Sequence, residues 1–355
     1  MGNVKEELLS ISVWLTPLCN LKCDYCYEGS EKKGSSISSN NMNLVVSFIE
    51  CLIVEKNFKF VNITFHGGEP LLCYEKIKWI VTYFKSKSKI CDVYFYYALT
   101  TNATLLDDEK RNYLIKNILD LSISIDGMKQ SHDMHRIYTD GKGSFDVVLK
   151  NVYSILKERN DIRLRMTVCA DTVEFLFDNV MFLIGIGGKV IVPSIDYYDT
   201  RWNESRLKEL HKQLIQLADY LYVNNLMNEV KVAMINYTFD DVTFKTMCDG
   251  GVSSFSIYCN GDIYPCLEVV GHPEYRIGDL QQGLVKEKVR RLKEIGSYDN
   301  MDCIGCSNLR FCENNRCKII NHLFTGDYYK VHPLKCVIEN IQYSITKYNV
   351  EKYYS

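Results

Sequence analysis

Between residues 8 and 193 the chain alternates short β-type apolar runs with longer stretches whose apolar positions recur at helical spacing. The short runs predict strands at 8–15, 60–65, 93–99, 121–125, 162–169 and 189–193. The longer stretches predict helices near 42–56, 74–86, 107–118, 145–158, 173–184 and 203–225. In the first helix Leu44, Val45, Phe48, Ile49, Leu52 and Ile53 fall on one side. Asp107-Asp108-Glu109 and Asp146 put acids where the macrodipole of a helix start favours them. Six βα units with short connections predict an α/β chain with a parallel sheet and helices outside it. Closed partly or wholly into a barrel, such a sheet carries its chemistry at the C-terminal ends of the strands. A doubly wound open sheet is the alternative that the pattern leaves open. The polar stretch 29–41 predicts a mobile loop. After about residue 235 the alternation stops and cysteines become dense, which predicts a boundary near Asp240, between a core domain (1–239) and a metal-stabilised domain (240–355).

Composition narrows the class. Hydrophobic residues at 46% and charged residues at 24% are ordinary for a globular chain. A net charge of −2 carries no basic footprint, so nucleic acid is not an expected partner. No apolar run approaches the roughly 18–20 residues of a membrane span. The start, Met1-Gly2-Asn3-Val4-Lys5-Glu6-Glu7, lacks the basic and apolar regions of a signal peptide, and Glu6 breaks the myristoylation pattern. A cytoplasmic chain is expected. Its 15 Cys are then better read as metal ligands than as disulfides. Cys51, Cys73, Cys91 and Cys169 stand singly and read as small buried hydrophobes.

The first cluster follows the first strand: Cys19-Asn20-Leu21-Lys22-Cys23-Asp24-Tyr25-Cys26, spaced C-x3-C-x2-C. Three thiolates can hold three irons of a [4Fe–4S] cube that normally takes four, leaving one iron open to a reactant. A zinc site completed from elsewhere is the alternative. After strand two comes His66-Gly67-Gly68-Glu69-Pro70, after strand three Thr100-Thr101-Asn102, and after strand four Ser124-Ile125-Asp126-Gly127 with His132 and Arg136 beyond. Two glycines let backbone approach a ligand closely. By themselves His66 reads equally as a structural histidine and Arg136 as a surface charge.

These motifs resemble the radical S-adenosylmethionine (SAM) superfamily, with Tyr25 at its aromatic position before the third Cys. The resemblance implies a partial (β/α)6 TIM-type barrel. It implies that Cys19, Cys23 and Cys26 hold a [4Fe–4S] cluster whose open iron chelates SAM and cleaves it reductively to a 5′-deoxyadenosyl radical. It also implies SAM contacts from Tyr25, Gly67, Gly68, Glu69, Ser124 and Arg136.

Farther on, Cys248 is followed by Gly261 and Cys266, then Cys303-x2-Cys306-x5-Cys312-x4-Cys317, and lastly Cys336. Asn260-Gly261 predicts a hairpin turn between 255–258 and 263–264. This region resembles the SPASM domain, although the last gap is four residues where three are usual and Asn314-Asn315 stand where Gly-Gly is usual. The resemblance implies two auxiliary [4Fe–4S] clusters, one on Cys303, Cys306, Cys312 and Cys336, the other on Cys248, Cys266 and Cys317 with a fourth position open or filled by Cys259. Cys259 itself reads as a strand residue rather than a ligand. Zinc ribbons are the alternative for the domain.

Such enzymes mostly modify peptides or proteins, and three chemistries are open: formylglycine formation, thioether or carbon–carbon crosslinking, and quinone-cofactor maturation. Enzymes that make formylglycine carry Asp directly after the Cys of the Tyr-Pro-Cys hairpin; here that position is Leu267, and Glu268 follows as a displaced candidate base. The expected partners are a peptide or protein substrate, an external electron donor of flavodoxin or ferredoxin type, and a separate leader-peptide-binding protein, because few residues precede the first strand. A non-catalytic iron–sulfur protein for electron transfer is the reading from a different class.

Overall fold

Leu9, Ile11 and Val13 alternate with Ser10 and Ser12 along the first strand, and the same alternation sets the whole architecture. The structure is a computed structural model that describes residues 7–29, 32–87, 92–235, 248–309, 312 and 314–353. Cys91 and the expected boundary near Asp240 lie outside the described residues.

Six parallel strands lie side by side in chain order: β1 (Leu8–Thr16), β2 (Phe60–Gly67), β3 (Tyr94–Thr101), β4 (Asp120–Ser124), β5 (Arg163–Val168) and β6 (Val190–Ile195). A doubly wound sheet reverses its order at a switch point. This one does not, which decides for the barrel-type winding. The helices are α1 (Ser39–Lys56), α2 (Tyr74–Lys87), α3 (Asp108–Asn117), α4 (Lys129–His135), α5 (Phe145–Leu156), α6 (Leu176–Gly185) and α7 (Glu204–Val223). The helix α1 starts three residues before its apolar stripe, because Ser38 caps it by accepting from the Asn41 amide at 3.1 Å. The short α4 was not expected; its buried face is polar (Ser131, His132, His135), so it has no apolar period to read.

Apolar strand residues such as Ile11, Ile63, Ile123 and Leu164 belong to one continuous core with Ile49, Ile80, Val152 and Val180 of the helices. The opposite, inner face of the sheet carries Ser12, Thr64, Ser124, Arg165 and Ser194, none fully buried. A closed barrel of this type fills its interior with branched side chains. Here the interior is polar and solvent-accessible.

Beyond residue 248 the chain rejoins this sheet. The strand β8 (Ser254–Ile257) pairs in parallel with β1 on the side away from β2, and β9 (Asp262–Tyr264) returns antiparallel to it. The expected turn joins them, with Gly261 at φ +99°. Two-residue strands extend both edges: β7 (Lys231–Val232) beside β6, and β10 (Gly278–Asp279) and β11 (Gly283–Leu284) beyond β9. Trp14 of β1 packs with Tyr264, Val269, Tyr275 and Ile319 in a second small core. Helices α8 (Lys286–Gly296), α9 (Lys318–Thr325) and α10 (Pro333–Tyr353) complete the region. Tyr348 of α10 donates to Asp219 of α7 at 2.8 Å. Among the described residues no helix is long and apolar enough to cross a membrane.

Candidate functional site

The loop carrying Cys19, Cys23 and Cys26 leaves β1 and is held against the loop after β2 by backbone. Gly68 donates its amide to Thr16 O and Glu69 to Leu18 O, both at 2.9 Å. A Cβ on Gly67 would stand 2.3 Å from Thr16 O, and one on Gly68 2.3 Å from Leu18 O. The two glycines thus let one loop lie on the other, backbone against backbone.

Glu69 is fully buried, and its carboxylate accepts from Thr101 Oγ1 (2.7 Å), the Asn102 amide (2.8 Å) and the Leu71 amide (3.0 Å). Burial nevertheless pushes its pKa up to about 7. Asn102 continues the brace, donating to Asn20 Oδ1 at 3.0 Å. The first three strand ends are therefore one hydrogen-bonded platform beneath the thiols.

Asp126, after β4, is the second anchor. It is buried, accepts from Arg136 Nε at 2.8 Å, Tyr25 Oη at 2.5 Å and the Thr167 amide at 2.9 Å, and so joins the cysteine loop to β4, α4 and β5. Burial works to raise its pKa, but Arg136, His132 and these hydrogen bonds hold it below the usual value. Arg136 lies over the Tyr25 ring, 5.2 Å from its centre. Its terminal nitrogens make no hydrogen bond among the described residues. Ser124 stands half-buried at the end of β4, two residues before Asp126. His132 is fully buried, with Nδ1 facing the Asp126 amide (3.3 Å) and Nε2 facing Ser144 Oγ (2.9 Å). His66 stacks on Trp14 at 5.1 Å, so it is both packed and turned to the lumen.

The thiol sets fit iron–sulfur clusters better than single ions. Burial pushes Cys19 up to about 11 and Cys23 up to about 12, so each needs a nearby cation to ionise. Donors already face the sulfurs: Leu21 N (3.4 Å) and Asn102 Nδ2 (3.7 Å) to Cys19, and Lys32 Nζ (2.9 Å) to Cys26. Among the described residues, groups of three ligand atoms within 4.8 Å of one another form at His135, Cys169 and Asp171 and at Cys169, Asp196 and Asp199, and not among these thiols. A single zinc needs thiolates about 2.3 Å from one centre; a cube offers each Cys its own iron.

In the C-terminal region the charge of Cys266 interacts with Cys317 and Cys248, and that of Cys303 with Cys336 and Cys306, while Cys312 interacts with Cys303. These couplings put Cys266 near Cys248 and Cys317, and Cys303 near Cys306, Cys312 and Cys336. Cys259 is buried in the main core and interacts with Cys73 instead. Glu268 follows Cys266 on a short 3-10 turn, half-buried, and its charge reaches Tyr27, Tyr198 and Cys317. Burial raises its pKa while Lys335 and Arg165 oppose that rise.

Asp126, Thr101 and Asn102 are the residues whose work sequence reasoning missed. Asp126 carried a signal, in its place two residues after Ser124, but its three donors come from separate elements.

A polar-lumened parallel barrel with three thiols on its first loop defines a cluster-bearing enzyme of the barrel type. Residues 14–189 match the radical SAM superfamily. An uncharacterized protein of Methanocaldococcus jannaschii is 30% identical over 264 residues, 72% of this chain and 84% of its own. The cysteine-type anaerobic sulfatase-maturating enzyme of Clostridium novyi is 24% identical, over 78% of this chain and 79% of that protein. The solved structure of native anSMEcpe with bound AdoMet and Kp18Cys peptide superposes with a TM-score of 0.80 at 20% identity, covering 97% of this chain and 98% of that one. The chain belongs to the radical SAM superfamily, and is an enzyme that uses SAM and a [4Fe–4S] cluster.

Proposed function

We propose that the chain is a peptide maturase that takes a hydrogen from a residue of a ribosomally made peptide and installs a thioether or carbon–carbon crosslink. When bound to Cys19, Cys23 and Cys26, the cluster supplies the electron that converts SAM to its 5′-deoxyadenosyl radical. Ser124, Arg136 and the main chain at Gly67–Glu69 hold SAM against it, with Tyr25 beneath the Arg136 guanidinium. The C-terminal region acts as a SPASM domain, with Cys303, Cys306, Cys312 and Cys336 holding one auxiliary cluster and Cys248, Cys266 and Cys317 the other. Glu268 takes the proton that crosslinking releases, and the electron released with it passes to the auxiliary cluster held by Cys248, Cys266 and Cys317.

The observation that carries this reading is the open polar lumen, bounded by the first thiol loop on one side and by Glu268 beside Cys266 and Cys317 on the other. A peptide segment entering there meets the radical site and the base together. Leu267 in place of an acid favours crosslinking. Formylglycine formation is the second reading, favoured by the approach of Glu268 to the lumen and by the Clostridium novyi relative.

The test is anaerobic incubation of the reconstituted enzyme with SAM, reductant and the short peptide encoded beside its gene. Crosslinking predicts 5′-deoxyadenosine and a peptide lighter by two hydrogens. Exchange of a Cys thiol for an aldehyde would establish the second reading, and an unchanged peptide mass would remove the first.

A further inference from the structure

Arg165 stands in the middle of β5, with Ser124 of β4 and Val192 of β6 as its register partners. Its chain neighbours Leu164 and Met166 are buried on the helix side, so Arg165 projects from the inner face, where it is exposed in spite of a strand on either hand. Arg163, two residues earlier on the same face, is ion-paired with Asp120. Arg165 has no ion pair or side-chain hydrogen bond among the described residues. Its charge acts on His66 after β2, on Tyr27 of the cysteine loop and on Glu268 of the C-terminal region. These three come from different parts of the chain, so the guanidinium on the inner face lies within electrostatic reach of the β2 loop, the cysteine loop and the C-terminal region.

An arginine serves no packing purpose here. The interior of a parallel barrel is ordinarily filled by branched apolar residues, whereas Ser12, Thr64, Ser124 and Ser194 on this inner face are small and neutral and leave room around Arg165. A lone guanidinium in a confined polar space offers a planar fork that matches a carboxylate with two parallel hydrogen bonds.

We propose that Arg165 docks a carboxylate of the substrate, so that the peptide carries an acidic side chain or its own C-terminus next to the residue to be modified. The inference rests on the peptide-maturase reading and adds a chemical requirement to the substrate. The register pairing of Arg165 with Ser124 sets that carboxylate at the level of the expected SAM contact.

The experiment is footprinting with phenylglyoxal, which modifies free guanidinium groups, on the reconstituted holoenzyme loaded with SAM. Three probes are compared at tens-of-millimolar concentration: N-acetylglutamate N-methylamide for an acidic side chain, N-acetylglycine for a C-terminus, and the neutral N-acetylglutamine N-methylamide. Modification of Arg165, quantified by mass spectrometry, is expected to slow about tenfold more with one of the carboxylates than with the amide, equivalent to about 1.4 kcal/mol. The protecting carboxylate identifies the source. Equal effects of all three probes overturn the proposal. So does protection by SAM alone, which would give Arg165 to the cofactor, or an Arg165 that stays unmodified with neither SAM nor probe. Footprinting needs no turnover, so its failure is distinct from a failure of the peptide to react.

Discussion

Arg136 donates from Nε to Oδ2 of Asp126 at 2.8 Å, and both residues are buried beneath the cysteine loop. The pair matters less as an attraction than as a junction, since Asp126 also receives Tyr25 and the Thr167 amide. Asp126→Asn keeps the volume but leaves a buried guanidinium without its counter-charge, which costs about 3–5 kcal/mol. The expected outcome is a lower denaturant midpoint for the apo chain together with less iron retained on Cys19, Cys23 and Cys26. Adding Arg136→Gln should recover part of the stability, a coupling that a double-mutant cycle measures directly.

Buried histidines set an acid limit on the fold. Burial lowers the His132 pKa to about 4 from an ordinary 6.5. Above the unfolded value both states are neutral and the native contacts are complete. As pH falls below it, the unfolded chain takes up a proton that the native one refuses, so stability falls down to the folded pKa. At about pH 5 this costs roughly 2 kcal/mol. His66, likewise lowered to about 4 by burial and by Arg165, loses stability in the same window. Urea midpoints at neutral pH and near pH 5 should differ accordingly, and His132→Gln should flatten the difference. An unchanged difference would mean that other groups titrate there.

At Gly68 the expectation is steric. An added methyl would meet Leu18 O at 2.3 Å and Pro17 O at 2.8 Å, both backbone atoms that cannot rotate away. Gly68→Ala should push the cysteine loop off the β2 loop and reduce iron loading several-fold. Gly141→Ala is the control: its Cβ meets nothing within 4 Å, and its φ of +86° costs only about 1–2 kcal/mol of strain. Iron per chain and the charge-transfer absorbance of the cluster report both.

Lys32 places its ammonium 2.9 Å from Cys26 Sγ and 3.9 Å from Glu28. A cation and donor at a cluster sulfur favours the more negative, reduced state. Lys32→Met should therefore lower the potential of the SAM-site cluster, by on the order of 50 mV. Redox titration followed by electron paramagnetic resonance checks the shift; a rise in potential would contradict the role.

Much of the barrel was legible because its strands alternate two unlike sets of residues. Leu9, Ile11 and Val13 against Ser10 and Ser12 announce a two-faced strand at a glance, and the cysteine spacing announces a cluster loop after it. Other features had no local signature. The four-residue run Ser254–Ile257 reads as half of a hairpin, and only the fold shows that its other edge pairs with β1. Glu69 reads in the sequence as part of a ligand-binding motif, and only the fold shows that its carboxylate also ties the ends of β2 and β3 together. Arg165 drew no attention because a charge in a strand normally marks a solvent face.

By itself, then, the sequence determined the six core strands, most of the helices between them and the six-fold βα order, because periodicity and residue spacing are properties of a short stretch of chain. Tertiary structure alone decided which strand lies next to β1, which residues brace the cysteine loop, and that the inner face is an open polar lumen whose Arg165 has no ion pair among the described residues. Those facts depend on contacts between residues far apart in the chain, such as Tyr25 with Asp126 and Ser10 with Ser254, which no local pattern encodes.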